Sequence, residues 1–433
     1  MRGKMILVSA PPLWPKIPPL NLLMPAGYLR ERGYEVQALD LNNCCYRAAA
    51  PAQQAEWLKS RNSQWESIWA ERARQGDDPQ IGAALAELAG AAVVGFSCFR
   101  SNLPVSLVVA EQLRRLSPRT RIVFGGPEIA RQYFAAGEKI PPSLRAAADE
   151  LVVGEGELAL EALAQGEPCR PLVLFEELPD LNVCSWAAGY DLVRRADYPR
   201  ADTVAVLAGR GCRRGCRFCV ERRLYRRLRC RSAENAAAEI ALHRAQGVRS
   251  FIMHDSMFNA DLQFLERFCE LVQERFGGIA WEAQMAVEPR MSRTLLEKIK
   301  RSGCYHLFIG LESGCDRTLQ RMGKGFSAAQ AGVFFEQVAA AGLSFGVSLL
   351  VGFPGETDAD VQESLDFLCA RRQFISRIEQ INPYVYYEGS DADAADYQRR
   401  PEILERTRQC VDVLRQHGFR MNRAFINNLI EKI

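Results

Sequence analysis

The sequence of 433 residues has no apolar run long enough to cross a bilayer, so no membrane-spanning helix is expected. It also lacks a strong charge imbalance, because 55 basic and 52 acidic residues leave a net charge of +3. Charge alone therefore gives no argument for nucleic-acid or membrane binding. A signal peptide is not expected either. The apolar run Met5–Ala10 is short, ends at Pro11-Pro12 and predicts a first strand.

What is present is an ordinary globular composition with many cysteines. Hydrophobic residues make up 48% of the chain and charged residues 25%, which is typical of a folded water-exposed protein. The length favours two domains over one. Fourteen cysteines without a secretion signal favour metal or redox chemistry over a disulfide framework, and predict a cytoplasmic location.

Three of these cysteines, Cys212, Cys216 and Cys219, stand together in a C-x3-C-x2-C spacing. Thiolates suit iron–sulfur clusters, zinc and copper(I), and a [4Fe–4S] cluster normally takes four of them. One loop supplies only three here, since the next cysteine, Cys230, lies well downstream. Three ligands would leave one iron open, with the aromatic ring of Phe218 beside it to pack on a nucleobase. A zinc loop or three structural thiols are the alternatives.

Strand-like and helix-like segments alternate through residues 1–167. This alternation implies a parallel sheet with right-handed crossovers. We therefore expect an α/β, Rossmann-like domain whose ligand lies at the carboxyl ends of the strands. The segment Ala48–Leu88 predicts a helical insertion without evident chemistry. The predicted strands are Met5–Ala10, Tyr34–Leu41, Ala92–Ser97, Arg121–Phe124 and Leu151–Val153, with helices at Pro25–Gly33, Val105–Leu116 and Leu158–Leu163.

An irregular segment, residues 168–199, predicts an interdomain linker. Six further strand–helix units follow in residues 200–390, and residues 391–433 predict a short helical tail around Glu402–Gln416. Ser232, Ser327 and Thr357 are good N-caps for helices in this part. The predicted strands are Thr203–Ala208, Ser250–Met253, Ile279–Gln284, Tyr305–Ile309, Ser344–Val351 and Ile378–Tyr384.

The cysteine loop, with Phe218 before its last cysteine, resembles the signature of the radical S-adenosylmethionine (SAM) enzymes. The six strand–helix units fit the partial (β/α)6, TIM-like barrel of that superfamily, in which active residues gather at the carboxyl ends of the strands. The resemblance implies that Cys212, Cys216 and Cys219 are the metal-ligating and catalytic cysteines of a [4Fe–4S] cluster whose open iron binds SAM. It also implies a SAM site formed by Phe218, Asp255, Ser256, Glu312, Ser313, Ser348 and Gly352.

Glu312 is expected to accept hydrogen bonds from the ribose hydroxyls or the methionine ammonium of SAM. Lys324 lies in a Gly-Lys-Gly that resembles the Met-x-Lys-Gly of relatives. It either pairs with an anion or is solvated, and the sequence does not decide between these roles.

The loops at the strand ends of the first domain resemble the cobalamin (B12)-binding domain of a subgroup of radical SAM enzymes. Glycine there would let the backbone approach a flat macrocycle, and Ser97 could hydrogen-bond a buried dimethylbenzimidazole. One departure is that residues 11–23 contain no histidine to ligate cobalt, and Arg100 stays protonated and cannot replace it. A degenerate Rossmann scaffold without cofactor is the alternative. The implied cobalamin-binding residues are Pro12, Leu13, Ser97, Arg100, Gly125, Gly126, Gly154 and Glu155.

Together these resemblances imply a cobalamin-dependent, class B-like radical SAM methyltransferase. Such an enzyme cleaves SAM to a 5′-deoxyadenosyl radical, abstracts a hydrogen atom and methylates an unactivated carbon of a small molecule or natural product. A radical cyclase or rearrangement enzyme, and a non-catalytic iron–sulfur sensor or scaffold, are the alternatives. The ten arginines from Arg210 to Arg231 are a solvated surface, an offset to the anionic cluster or a docking site for flavodoxin or ferredoxin. Nucleic acid is not expected, because aromatic residues are sparse there.

Overall fold

The computed structural model describes residues 3–59, 63–183, 187–392 and 400–422. They fall into two units, one of residues 1–205 with 241–248, the other of residues 206–240 with 249–433. Parts of the tail predicted at 391–433 lie outside the described residues. Within the described ranges, no helix is both long enough and apolar enough to cross a membrane.

The first unit contains one parallel sheet and its covering helices. Its strands are β1 (Met5–Val8), β2 (Val36–Leu39), β3 (Val93–Ser97), β4 (Arg121–Gly125), β5 (Glu150–Val153) and β6 (Leu172–Leu174). Its helices are α1 (Leu20–Glu31), α2 (Leu41–Ala48), α3 (Pro51–Lys59), α4 (Ser63–Gln75), α5 (Pro79–Leu88), α6 (Leu103–Leu116), α7 (Pro127–Ala135), α8 (Pro142–Ala147), α9 (Glu157–Ala164) and α10 (Ala187–Tyr190). The strand order is β2-β1-β3-β4-β5-β6, and every neighbouring pair is parallel. All four residues of β1 and of β5 are buried, as in sheets covered on both faces.

This sheet confirms the α/β prediction, with two differences in the elements. Helix α1 begins at Leu20, five residues before the predicted start, and contains Pro25. Its apolar residues Leu20–Met24 are mostly buried, and that packing outweighs the one backbone hydrogen bond that a proline cannot donate.

The segment 168–199, predicted as an irregular linker, contains β6, which pairs with β5 at the edge of the sheet. A strand of only three residues has no detectable periodicity, so the pattern missed it. Farther along the segment, the Tyr198 hydroxyl donates to Asp40 at 2.8 Å. The described part of the segment therefore belongs to the first unit.

The insertion predicted at 48–88 is helical, as α3, α4 and α5 show. Its Trp57 is the centre of an aromatic cluster. The ring centre of Trp57 lies 5.1 Å from those of Trp65 and Trp69, and 5.8 Å from that of Tyr46 in α2. The Trp57 indole also donates to the carbonyl of Leu13 at 2.8 Å. The insertion thus packs against the loop after β1, a contact that the sequence did not predict.

The second sheet also has six strands, in the chain-order sequence β14-β13-β12-β11-β10-β7. The strands of this sheet are β7 (Thr203–Val206), β10 (Ser250–Met253), β11 (Ala280–Ala286), β12 (Cys304–Glu312), β13 (Phe345–Val351) and β14 (Arg377–Pro383). Two short strands, β8 (Gly209–Arg210) and β9 (Arg229–Cys230), form a separate antiparallel ribbon. The helices are α11 (Glu221–Leu224), α12 (Ala233–Ala245), α13 (Leu262–Phe276), α14 (Arg293–Arg301), α15 (Asp316–Met322), α16 (Ala328–Ala340), α17 (Asp358–Ala370) and α18 (Arg400–Gln416).

Neighbouring strands from β10 to β14 are parallel, so their carboxyl ends lie along one edge. Six strands in chain order, five of them shown parallel, agree with the predicted partial barrel. The predicted caps Ser327 and Thr357 both form capping boxes, with Gln330 and Asp360 as the reciprocal partners. Strand β12 is longer than predicted and ends at Glu312, after a register shift between Ile309 and Glu312.

Candidate functional site

The three-cysteine loop starts just after β7 and is closed by the antiparallel ribbon. Gly209 of β8 pairs with Cys230 of β9, so residues 211–228 form a loop with fixed ends. At its start Gly211 has φ +88°, and a Cβ atom there would lie 2.7 Å from the carbonyl oxygen of Arg227. Only glycine fits this close approach without strain.

Asp255, which follows β10, fixes the entry to the loop. Its carboxylate oxygens accept the backbone N–H groups of Ala208 at 3.1 Å and Gly209 at 2.5 Å. Burial raises the pKa of Asp255 to about 7. In this structure the residue predicted for SAM binding holds the backbone that leads to the cysteines.

The thiols themselves are spread apart along the loop. Burial raises the pKa of Cys212 and Cys216, and raises that of Cys219 to about 12. Three soft donors on one loop suit an iron–sulfur cluster, zinc or copper(I).

Within the described ranges, the possible metal-ligand atoms of one set of side chains all lie within 4.8 Å of one another. The set is Cys315, Asp360 and Glu363. Asp360 already accepts hydrogen bonds from Arg317 at 2.8 Å and from Thr357 at 2.6 and 2.7 Å. The guanidinium of Arg317 holds the pKa of this carboxyl well below its usual range. Asp360 lies at the capped start of α17, and its carboxylate is already paired with the guanidinium of Arg317.

Glu312 at the end of β12 lies beside a buried cation. Its Oε1 atom accepts from the Ser348 hydroxyl at 3.0 Å and lies 3.6 Å from Nζ of Lys324. Lys324 is only 6% exposed, and its ammonium makes no hydrogen bond to any described residue. The ammonium lies 5.8 Å from the ring centre of Phe218 and 5.7 Å from that of Phe326. A largely buried lysine whose ammonium has one carboxylate 3.6 Å away and no hydrogen bond to it favours an anionic ligand at this position.

The turn that carries Lys324 is bonded directly to the cysteine loop. The N–H of Arg217 donates to Met322 at 2.9 Å, and the Arg214 guanidinium donates to the carbonyl of Lys324 at 3.0 Å. The thiols, Lys324 and Glu312 therefore form one connected site. Sequence reasoning left Lys324 undecided, and the Met-x-Lys-Gly pattern was the signal that pointed to it.

The other predicted SAM residues have local partners. Phe218 packs edge-on against Phe353, 6.4 Å away. The Ser256 hydroxyl donates to Glu221 at 2.6 Å. The structure brings Phe218, Glu312 and Ser348 together around Lys324.

Ser313 and Gly352 are placed differently. The buried hydroxyl of Ser313 pairs with that of Ser364 at 2.9 Å and accepts from the N–H of Cys315 at 3.1 Å, so it stabilises the turn before α15. Gly352 has φ +86°, and a Cβ atom there would lie 2.6 Å from Ile403 of α18. Both residues are explained by local packing.

In the first unit, the strand order places a switch point between β1 and β3. Loops on either side of such a point diverge, and ligands of open α/β sheets bind in the crevice between them. The loop after β1 carries Pro12 and Leu13, and the loop after β3 carries the exposed Arg100. Ser97 ends β3, and its hydroxyl accepts from Asn21 at 2.6 Å. The Ser101 hydroxyl donates to the carbonyl of Pro12 at 2.9 Å and links the two loops.

The glycines predicted to bind cobalamin differ in whether the packing of the chain leaves room for a side chain. A Cβ atom at Gly126, where φ is +102°, would lie 2.7 Å from the carbonyl oxygen of Cys98. At Gly154, with φ +108°, it would lie 3.3 Å from the Cα of Phe175. The backbone conformation and the neighbouring backbone therefore require glycine at both positions.

Gly125 is different, because a Cβ atom there would meet only Val152, at an ordinary 3.7 Å. The packing of the fold therefore does not require this glycine. Glu155 is buried and accepts the N–H of Leu178 at 3.0 Å, so its carboxylate holds the segment after β6.

Comparison with protein families gives two matches on this chain. Residues 206–368 match the family model of the radical SAM superfamily. Residues 61–164 match that of the B12 binding domain. The two matches fall in the second and first sheet regions respectively.

Curated relatives include methyltransferase-like proteins. "Uncharacterized methyltransferase PH0819" of Pyrococcus horikoshii is 25% identical over 303 residues, which cover 64% of this chain and 63% of the relative. "Ribosomal protein uS12 methylthiotransferase RimO" of Desulforudis audaxviator is 27% identical over 253 residues, 55% of each chain. The chain thus spans between half and two thirds of the length of these relatives.

Two solved structures share the fold over most of the chain. The radical SAM methyltransferase TsrM from Kitasatospora setae, with cobalamin and a [4Fe–4S] cluster bound, has a TM-score of 0.67 at 17% identity, covering 90% of this chain and 74% of its own. The cobalamin-dependent SAM radical enzyme OxsB, with aqua-cobalamin bound, has a TM-score of 0.60 at 17% identity, covering 94% and 56%. At this identity the likeness shows a common fold.

Proposed function

We propose that this chain, which carries a B12-binding domain followed by a radical SAM domain, is a cobalamin-dependent radical SAM enzyme that methylates an unactivated carbon of a small molecule. The observation that carries the proposal is the connected site of three loop cysteines, buried Lys324 and Glu312. This site combines soft ligands for a cluster with a cation and a carboxylate suited to the amino-acid end of SAM. The methyltransferase relatives support methyl transfer as the outcome.

When bound, the cluster and SAM supply one-electron cleavage of SAM to methionine and a 5′-deoxyadenosyl radical, and cobalamin supplies the methyl group. The chain's own contribution is placement. Cys212, Cys216 and Cys219 are soft donors that would hold the cluster. The Lys324 ammonium would donate to the SAM carboxylate, and Glu312 would accept from its ammonium or ribose hydroxyls.

We assign cobalamin to the carboxyl ends of β1 and β3, at the switch point of the first sheet. Gly125, whose missing side chain the fold does not explain, supports close approach by a large flat ligand. The four histidines of the chain are His243, His254, His306 and His417, so no strand-end loop of the first sheet contains one. Cobalamin held there would receive no histidine ligand from these loops.

An electron donor with an acidic surface fits the arginine-rich loop. Arginines on the loop that carries Cys216 and Cys219 are exposed, which gives that surface a strong positive potential. Flavodoxin or ferredoxin is the partner class that we propose. The exposed arginines are Arg213, Arg217, Arg222, Arg223, Arg226 and Arg227.

The test is anaerobic assembly with iron, sulfide and hydroxocobalamin, followed by reduction in the presence of SAM labelled in its methyl group. We expect an iron–sulfur spectrum, bound cobalamin, 5′-deoxyadenosine, and label transferred to cobalamin and then to a small-molecule product. Bound cobalamin with an unlabelled product would replace methylation by cyclisation or rearrangement. A cluster that yields no 5′-deoxyadenosine would indicate a sensor or scaffold and sink the enzymatic proposal.

A further inference from the structure

Trp14 is exposed on a loop whose neighbouring residues are firmly held. Half of its surface (50%) is accessible to solvent, whereas Trp57, Trp69 and Trp281 are buried. It follows Pro12 and Leu13 directly, in the loop after β1. That loop borders the β1/β3 switch point, where ligands of open parallel sheets bind.

Three side chains from separate segments fix the backbone just before Trp14. Asn42 accepts the N–H of Leu13 at 2.7 Å, and the Trp57 indole donates to its carbonyl at 2.8 Å. Ser101 donates to the carbonyl of Pro12 at 2.9 Å. The indole is therefore carried by a preorganised loop, and its exposure does not come from a free chain end.

Among the described residues, the ring itself has one cation–π partner. The ammonium of Lys16 lies 4.6 Å from the Trp14 ring centre, a cation–π contact. The backbone of Lys16 is anchored in turn, since its carbonyl accepts the N–H of Arg200 at 3.0 Å. An anchored aromatic ring left half exposed, on a loop that borders the switch point of the sheet, has the properties of a contact platform.

We propose that Trp14 contacts the corrin macrocycle of cobalamin and contributes to its affinity. The inference rests on the cobalamin part of the proposed function. The corrin is a large, flat, largely apolar ring, and an exposed indole offers the matching apolar surface through dispersion and burial. Trp14 is a binding residue in this assignment, with no part in the chemistry.

The experiment compares hydroxocobalamin binding by the full-length protein and three variants, using equilibrium dialysis with visible absorbance. Trp14→Ala is expected to weaken binding at least tenfold, and Trp14→Phe to retain part of the affinity. Leu116→Ala is the matched control. Leu116 is 62% exposed, lies in the same unit and ends α6, at the edge of the sheet away from the strand carboxyl ends. The Leu116→Ala variant is expected to bind hydroxocobalamin as tightly as the wild type does.

A second readout uses the wild-type chain alone. N-bromosuccinimide oxidises exposed indoles, so Trp14 is expected to react before the buried Trp57, Trp69 and Trp281, as peptide mapping would show, and hydroxocobalamin is expected to protect it. Wild type that does not bind hydroxocobalamin would overturn the cobalamin part of the proposed function. Wild type that binds it, with Trp14→Ala and Trp14→Phe binding equally well and Trp14 unprotected, would overturn this inference alone.

Discussion

Nζ of Lys324 lies 3.6 Å from Oε1 of Glu312, with both side chains largely buried. The distance exceeds that of a direct hydrogen bond, although the two groups carry opposite charges. Glu312 ends β12 with φ +72°, a conformation uncommon for a residue with a side chain. Backbone strain of this kind clusters at ligand sites. The pair therefore presents a fixed cation and a fixed carboxylate that a zwitterionic amino acid could bridge.

Lys324→Met should weaken SAM binding by roughly 10- to 100-fold, the range for a lost hydrogen bond to a charged group. Methionine keeps the apolar length beside Phe218 and removes the ammonium. Anaerobic equilibrium dialysis of cluster-loaded protein with SAM measures the effect. Lys300→Met, at an exposed position of the same unit, should bind SAM normally. Equal affinity in Lys324→Met and the wild type would contradict this role.

Replacing Cys212, Cys216 or Cys219 by serine should abolish stable cluster assembly in each case. The serine hydroxyl stays protonated at neutral pH and does not replace a soft thiolate as an iron ligand. Cys230→Ser should retain the cluster. Cys230 lies on the ribbon that closes the loop, and burial raises the pKa of its thiol to about 11. Iron and sulfide content after anaerobic assembly distinguishes the variants. Loss of iron in Cys230→Ser would make it a fourth ligand and close the site to SAM.

Gly125→Ala and Gly126→Ala should separate a ligand-facing glycine from a structural one. Alanine at Gly126 meets both a positive φ and a carbonyl 2.7 Å away, so the unfolding free energy should fall by about 1–3 kcal/mol. Alanine at Gly125 meets only Val152 at 3.7 Å and should leave stability nearly unchanged while weakening hydroxocobalamin binding. Thermal unfolding and dialysis test the two effects. Equal destabilisation of both variants would remove the ligand explanation for Gly125.

The sequence predicted the parts of the molecule that local patterns determine. Alternating apolar runs identified most strands of both sheets, and the cysteine spacing identified the loop, because each signal lies within a few neighbouring residues. The burial of Lys324 was not predictable in this way. It arises from contacts between distant parts of the sequence, such as the bond that Arg214, 110 residues earlier, donates to the lysine carbonyl. The hydrogen bond that the Glu155 carboxylate accepts from Leu178, in the segment predicted as a linker, was not predictable in this way either.

Asp40 should make the stability of the first unit depend on pH. Burial raises its pKa to about 6 from a usual 3.8, although it accepts hydrogen bonds from Asn43 and Tyr198. Between these values the folded state holds a proton that the unfolded state has lost, so stability falls as pH rises. Asp40→Asn keeps the cap of α2 without the charge.

Between pH 4.5 and 7.5 the wild type should therefore lose about 2 kcal/mol of unfolding free energy relative to Asp40→Asn, at about 1.36 kcal/mol per pKa unit. Urea unfolding of the full chain at both pH values, followed by tryptophan fluorescence, measures the difference. Asp77→Asn, at an exposed carboxyl of the same unit, is the control and should parallel the wild type at both pH values. A constant difference between wild type and Asp40→Asn would mean that Asp40 stays ionised in the folded state, and that its contacts with Asn43 and Tyr198 outweigh its burial.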